Sequence, residues 1–222
     1  MRIAKWVTMS EEPKCSEEIL PRYPDLFILR HGETEWNLAG RMQGHLDSAL
    51  TELGREQARR QGRLLSQVVT ETCEWFSSPQ GRAFNTARIA APHGQHIEQD
   101  MRLKEIGMGD WTGLTRLEIG KERPDLFEEG VAALSYYGQG PGSESINSVA
   151  ERARDFLSSL TTPAIIVTHG ITSRVLRCVA LDLEPSCFAE LNGGQGIVYS
   201  IRNGEYGALD DDGWRSEAFP GI

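Results

Sequence analysis

The segment Leu29-Arg30-His31-Gly32-Glu33-Thr34 sets a guanidinium beside an imidazole directly after a short apolar run, Leu26 to Leu29. A second imidazole, His169, follows another apolar run, Ala164 to Thr168, and precedes Gly170. A neutral imidazole attacks or carries protons near pH 7, because its ordinary pKa is about 6.5. A guanidinium is a permanent cation whose planar fork of donors suits phosphate oxygens. Arg82, in Ser77-Ser78-Pro79-Gln80-Gly81-Arg82-Ala83, follows a third such run around Trp75-Phe76 and adds a further cation. Two imidazoles and two guanidiniums at one place are the equipment for phosphoryl transfer, which needs a nucleophile in line with the leaving oxygen and positive charge around the equatorial ones.

Those side chains meet only if the three runs are neighbouring strands. Each run is followed by a helix-like stretch. Thr51 to Val69 carries Ala58, Gly62, Leu65 and Val69 at helical spacing with Thr51 as a cap, Gly81 to Ala91 is stopped by Pro92, and Ile171, Val175, Cys178 and Val179 share one face. Strand then helix, repeated, predicts a three-layer α/β/α fold on a mainly parallel sheet. Ligands in such sheets bind beyond the carboxyl ends of the strands, which is where Arg30, His31 and His169 would stand. A helix starting near Ile171 would add backbone N–H groups favourable to phosphate. A further helix, about Asn147 to Leu160, has an apolar side, and Asn203-Gly204 between Ile197 to Ile201 and Glu205 to Leu209 predicts an antiparallel hairpin near the C-terminus. Residues 1–24 read as an N-terminal extension, 25–209 as the catalytic domain with 111–142 as a lid-like insertion, and 210–222 as a tail. Either terminal segment could pack across the rim or join two copies in a homodimer.

Composition narrows the partners. Over 222 residues the formal net charge is −9, which repels nucleic acid and anionic membranes, so the expected partner is a small phosphate ester held by local charge. No apolar run approaches the ~20 residues that span a bilayer. Cys15, Cys73, Cys178 and Cys187 are scattered, without a CxxC pair or a zinc-ligand spacing. Free thiols in the cytoplasm, no metal and no cofactor are therefore expected.

The motifs, taken in order, resemble those of the histidine phosphatase superfamily, the phosphoglycerate mutase-like family, over roughly Asp25 to Ile201. Arg30-His31-Gly32-Glu33-Thr34 matches the motif that supplies its nucleophilic histidine, and Asn37, Arg41, Gln43 and Gly44 match the continuation bordering its phosphate and substrate pocket. Ser77, Ser78, Arg82, Ala83, Thr86 and Ala87 match a second motif, and Leu103, Glu105, Gly109, Trp111 and Gly113 match the segment that carries the family's acid/base carboxylate. Gly142, Glu144 and Ser145, and finally His169 and Gly170, complete the series. The resemblance implies a nucleophilic His31, with Arg30, Arg82 and His169 stabilising the transferring group. It assigns Glu105 as general acid and base, and Thr34, Asn37, Gln43, Gly44 and Gly170 as further substrate-binding positions. One branch of the family keeps an Asp after the second histidine; Gly170 stands there, which favours Glu105 as the acid.

Phosphatase and mutase share this machinery. The family's cofactor-dependent mutases place Arg-His-Tyr after the glutamate, whereas Ile106-Gly107-Met108 follows here, and 111–142 is rich in acids. A clamp for a second anion is therefore expected to be absent, and the phosphatase branch is expected. The alternatives are a 2,3-bisphosphoglycerate-dependent phosphoglycerate mutase and a catalytically silent phosphate-ligand or partner-binding module.

Overall fold

The computed structural model describes residues 23–69, 72–202 and 205–217. Three strands rich in aliphatic and aromatic side chains form its centre: β1 (Leu26–Arg30), β2 (Glu74–Ser77) and, late in the chain, the run Ala164–Thr168. Successive side chains of a strand face opposite ways, and here both faces are apolar. Leu26, Ile28, Phe76, Ala164 and Ile166 enter one core, while Phe27, Leu29, Trp75, Ile165 and Val167 enter the other.

The helices α1 (Glu35–Leu38), α2 (Glu52–Val68) and α3 (Gly81–Ala90) precede the short strand β3 (Glu98–Gln99). Then come α4 (Arg116–Glu122), α5 (Ile146–Ser158), β4 (Ala164–Thr168), α6 (Gly170–Ala180), β5 (Val198–Arg202), β6 (Glu205–Asp210) and β7 (Gly213–Ser216). Helices α5 and α6 bury Val149, Phe156, Val175 and Cys178 in the first core, and α2 and α3 bury Leu64, Leu65, Ala83 and Ala87 in the second. The three-layer α/β/α arrangement follows. No described helix is long and apolar enough to cross a membrane.

The sheet runs β3-β2-β4-β1-β5-β6-β7, parallel from β3 to β1 and antiparallel from β1 to β7. The expected hairpin is present as β5 and β6, joined by Arg202↔Glu205; its turn, Asn203-Gly204, lies outside the described residues, as do Met1 to Arg22 of the N-terminal extension. The antiparallel part is wider than the hairpin alone. Residues 213–216 of the expected tail pair with Gly207 to Asp210 as β7, along the outer edge of the sheet and not across the rim where β1 and β4 end. Asp210 fixes that corner by accepting from the Asp212 N–H and pairing with Arg215. A four-residue strand after three aspartates has no periodicity to announce it.

A second difference lies between β1 and α2, where a loop holding the short helix α1 intervenes. Thr34 and Asn37 cap that helix reciprocally, each side chain accepting from the other's backbone N–H. The loop returns to α2 through a contact of bare backbones. A Cβ on Gly54 would sit 2.0 Å from the Glu33 carbonyl oxygen, and one on Gly32 would sit 2.1 Å from that of Gly54. Gly54→Ala is therefore expected to destabilise the fold by about 3 kcal/mol, the upper end of overpacking costs, read as a lowered midpoint in chemical denaturation. An unchanged midpoint would show that the two turns can part.

Candidate active site

His31 directly follows β1, its N–H donating to the Thr168 carbonyl of β4 at 2.9 Å, and His169 directly follows β4 and is the N-cap of α6. Neighbouring parallel strands thus deliver both imidazoles to one rim, with ring centroids 5.2 Å apart in an edge-to-face arrangement. Nδ1 of His31 lies 2.7 Å from the Gly32 carbonyl. A carbonyl only accepts, so Nδ1 holds the proton and the lone pair is left on Nε2. Nε2 of His169 lies 2.8 Å from Ser78 Oγ, which itself accepts from the Gln80 N–H. If the Ser78 hydroxyl donates to that nitrogen, the remaining proton of His169 stands on Nδ1.

The cations converge on the same rings. Arg30 lies over Gly170, where a Cβ would already be 3.4 Å from the guanidinium carbon, and its Nη1 donates to the Gly193 carbonyl at 2.8 Å. Arg82, in the first turn of α3 and only 2% exposed, donates from Nη2 to the Gly44 carbonyl and from Nη1 to the Leu46 carbonyl and Asp47. It thereby ties the loop after α1 to the site, a role its sequence context does not reveal. Arg30 Nε, Arg82 Nε and His169 Nδ1 are all buried and hydrogen-bond to nothing among the described residues. The two guanidinium Nε atoms are donors, and so is His169 Nδ1 when Ser78 donates to Nε2, so each is left available to a ligand.

Burial, reinforced by the charges of Arg30 and Arg82, holds the pKa of His31 well below its ordinary value. Burial does the same to His169, helped by Arg82 and His31, so both rings are neutral at pH 7. The unfolded chain binds these protons more readily than the folded one. Their contribution to stability is therefore complete above about pH 6.5 and is lost as the pH falls through the depressed folded values. NMR titration of the ring C–H signals is expected to show both histidines protonating below pH 6.5; a transition at or above that pH would contradict the neutral pair.

Glu105 reaches the site from the loop after β3. Its Oε1 accepts from the N–H groups of Ile106 and Thr172 and from Thr172 Oγ1, and its Oε2 from the Ile171 N–H at 3.2 Å. The carboxylate therefore occupies the N-terminus of α6, and the expectation that those N–H groups would receive phosphate is corrected. Its oxygens satisfy helix-end N–H groups that would otherwise lack an intrahelical partner. With one donor against three, Oε2 is the oxygen freer to face a ligand. Behind this loop, Glu144 accepts from the Gly107 N–H and pairs with Arg152, which also donates to the Arg102 carbonyl.

Arg30, His31, Arg82 and Glu105 open into a cavity of about 500 Å³, lined also by Asn37, Gln43, Gly44 and Gly170, a size suited to a small ligand, whereas His169 is fully buried and not among the lining residues. Thr34 does not line it. Its fully buried hydroxyl accepts from the Asn37 N–H and from Gln43 Nε2, so it braces the loop beneath. The 111–142 stretch, expected to be lid-like, contributes Thr115, Arg116, Leu117, Leu134 and Tyr137 to the wall.

Two features have no place in the sequence-based set. Gln195 donates to the His31 carbonyl and to Asn37 Oδ1 from a loop 164 residues further on, for which no local signal exists. Arg174 also lines the cavity. It lies four residues after Gly170 on α6, so the helical repeat that puts i and i+4 on one face could have found it. Arg41, whose motif implies a place at the border of the pocket, lines the cavity together with Arg116 and Arg174, all three away from Ile106-Gly107-Met108 in the chain.

The profile of the Histidine phosphatase superfamily (branch 1) matches residues 26–210. Glucosyl-3-phosphoglycerate phosphatase of Mycolicibacterium vanbaalenii is 32% identical over 87% of this chain and 93% of its own length. Phosphoglycerate mutase-like protein 4 of Arabidopsis thaliana is 33% identical over 76% of this chain and 75% of its own. Among solved structures, a mycobacterial glucosyl-3-phosphoglycerate phosphatase complexed with VO3 superposes with a TM-score of 0.71 and 29% identity, covering 88% of this chain and 98% of that one.

Proposed function

The chain belongs to branch 1 of the histidine phosphatase superfamily, and as a phosphoric monoester hydrolase of that family we propose that it works in two steps through His31. Nε2 attacks phosphorus, the P–O bond to the alcohol breaks, and the departing oxygen takes a proton from Glu105. Water, deprotonated by the Glu105 carboxylate, then attacks the phosphohistidine, the P–N bond breaks, and inorganic phosphate leaves with His31 regenerated. Arg30, Arg82 and His169 Nδ1–H surround the equatorial oxygens, where each preorganised donor is worth about 3 to 4 kcal/mol in the transition state.

One observation carries this reading: a buried neutral imidazole with its lone pair on Nε2 stands against a second imidazole and two guanidinium Nε atoms that have no hydrogen-bond partner among the described residues. Asn37, Gln43, Gly44 and Gly170 then frame the ester, and residues 25–209 act as the catalytic unit. The scattered cysteines fit a cytoplasmic enzyme, and a homodimer belongs to the same reading, checked by analytical ultracentrifugation.

The deciding assay is p-nitrophenyl phosphate with the purified protein in excess EDTA. Phosphate release is expected. Silence there and across a panel of sugar phosphates, phosphoglycerates and nucleotides would mean a phosphate-binding module without turnover. Interconversion of phosphoglycerates dependent on 2,3-bisphosphoglycerate, without net hydrolysis, would make it a mutase.

A further inference from the structure

Every residue from Leu191 to Gln195, the segment ahead of β5, is hydrogen-bonded to another part of the chain, and alternate residues face opposite ways. Toward the site, the Leu191 carbonyl accepts from Arg174 and the Gly193 carbonyl from Arg30, and Gln195 donates to the His31 carbonyl and to Asn37. Toward the first core, the Asn192 carbonyl accepts from Arg177 of α6, and the Gly194 N–H donates to the Tyr199 hydroxyl of β5 at 2.8 Å. Five consecutive residues thus tie the core to the site.

Arg177 is the centre of the core side of this arrangement. It is fully buried, its Nε donates to the Ser173 carbonyl at 3.1 Å, its Nη1 to the Tyr206 hydroxyl of β6 and its Nη2 to the Asn192 carbonyl, and its guanidinium lies 3.9 Å from the centre of the Tyr199 ring. The Tyr206 hydroxyl donates onward to Glu217, the residue after β7, at 3.4 Å, and Asn192 Nδ2 stands 3.2 Å from both oxygens of that carboxylate. Burial pushes the Tyr206 hydroxyl up to about 12, so it stays a neutral donor to Glu217. Taking a cation out of water is costly, and an apolar side chain would fill this space without that cost. What the guanidinium adds is a rigid planar fork that holds two acceptors, one on β6 and one on the 191–195 segment, at a fixed spacing.

The neighbouring carbonyl is the one that matters for chemistry. Among the described residues, the Gly193 carbonyl is the hydrogen-bond acceptor of the Arg30 guanidinium, at 2.8 Å, while Arg30 Nε is left without one. Asn192 and Gly193 are joined by a single peptide, so the Asn192 carbonyl cannot shift without carrying the next one with it. We infer that Arg177 is a positioning residue for Arg30: it fixes the Asn192 carbonyl beside β6 and Glu217, and so sets the Gly193 carbonyl where it aims the Arg30 fork at the transferring phosphoryl group. The inference rests on the hydrolase reading and goes beyond it, giving a buried cluster and the residue after β7 a share in the rate. A positioning error of about 1 Å can cost on the order of 10² in rate, so a small slackening of this segment is measurable.

The test is a double-mutant cycle read as kcat/KM for p-nitrophenyl phosphate, with circular dichroism to confirm that each variant is folded. Arg177→Met is expected to lower kcat/KM by about tenfold when Arg30 is present, with part of the loss restored in Arg177→Lys. Arg30→Ala alone is expected to cost about 10² to 10³, which leaves turnover measurable at high enzyme concentration. Added to Arg30→Ala, Arg177→Met is expected to cost less than about twofold, because the group it aims is gone. Tyr206→Phe removes a single oxygen from the cluster and keeps the ring, so it carries the same cycle should Arg177→Met not fold. A loss of the same factor with and without Arg30, as a merely structural role would give, overturns the inference alone, and so does a folded variant with no loss. A wild-type protein inert toward p-nitrophenyl phosphate overturns the hydrolase reading, and this inference with it.

Discussion

Alanine at position 31 is expected to leave a folded protein that forms no phosphoenzyme and whose turnover is lower by a factor on the order of 10⁴ or more. The fold should survive because the contact that joins His31 to the sheet is made by its backbone N–H to Thr168, which alanine retains. The chemistry should not, because the lone pair on Nε2 is the proposed bond-forming electron pair and the neighbouring ring cannot replace it. His169 is anchored through Nε2 to Ser78. Rapid quenching of the wild-type protein with a radiolabelled ester should trap phosphate that is labile in acid and stable in base, the signature of a phosphoramidate. Label persisting on His31→Ala would move the nucleophile elsewhere.

The second large effect concerns Glu105. Glu105→Gln is expected to lower kcat/KM for alkyl phosphates by about 10² to 10⁴, the range of general acid catalysis, and to lower it far less for p-nitrophenyl phosphate. A nitrophenolate departs without a proton, whereas an alkoxide does not. The parameter matters, since kcat/KM reports steps up to release of the alcohol, while kcat also includes hydrolysis of the phosphohistidine, in which the proposed mechanism uses Glu105 as base for both substrates. Because the proton moves as the alkyl P–O bond breaks, a solvent isotope effect should accompany the alkyl esters and be small for p-nitrophenyl phosphate. Equal losses for both leaving groups would show that another residue provides the proton.

The strands that build the site were legible in the sequence because burial on both faces writes continuous apolar runs. Ala164 to Thr168 coincides with β4, and the pairing of Leu26 to Arg30 with it brings His31 and His169 together as the motif order implied. Helices α2, α3 and α5 were legible within a residue or two, since amphipathic spacing and caps such as Thr51 are local. What stayed hidden depends on hydrogen bonds between distant residues. Glu105 capping α6 joins positions 105 and 171, and Arg82 gripping the Gly44 and Leu46 carbonyls joins α3 to the α1 loop. Neither has a periodicity to read. Arg174 lines the cavity from one turn past Gly170, a place that no motif marks.

The two imidazoles follow β1 and β4 at positions one step beyond the Arg30↔Thr168 pair. Their separation is consequently metered by the repeat of a buried ladder, and the walls that meet the alcohol come from other segments. Substitutions at Leu117, Leu134 or Tyr137 should accordingly change which molecules gain entry while the machinery for transfer keeps its calibration. A lineage built on this scaffold can drift between metabolites without having to reinvent its chemistry.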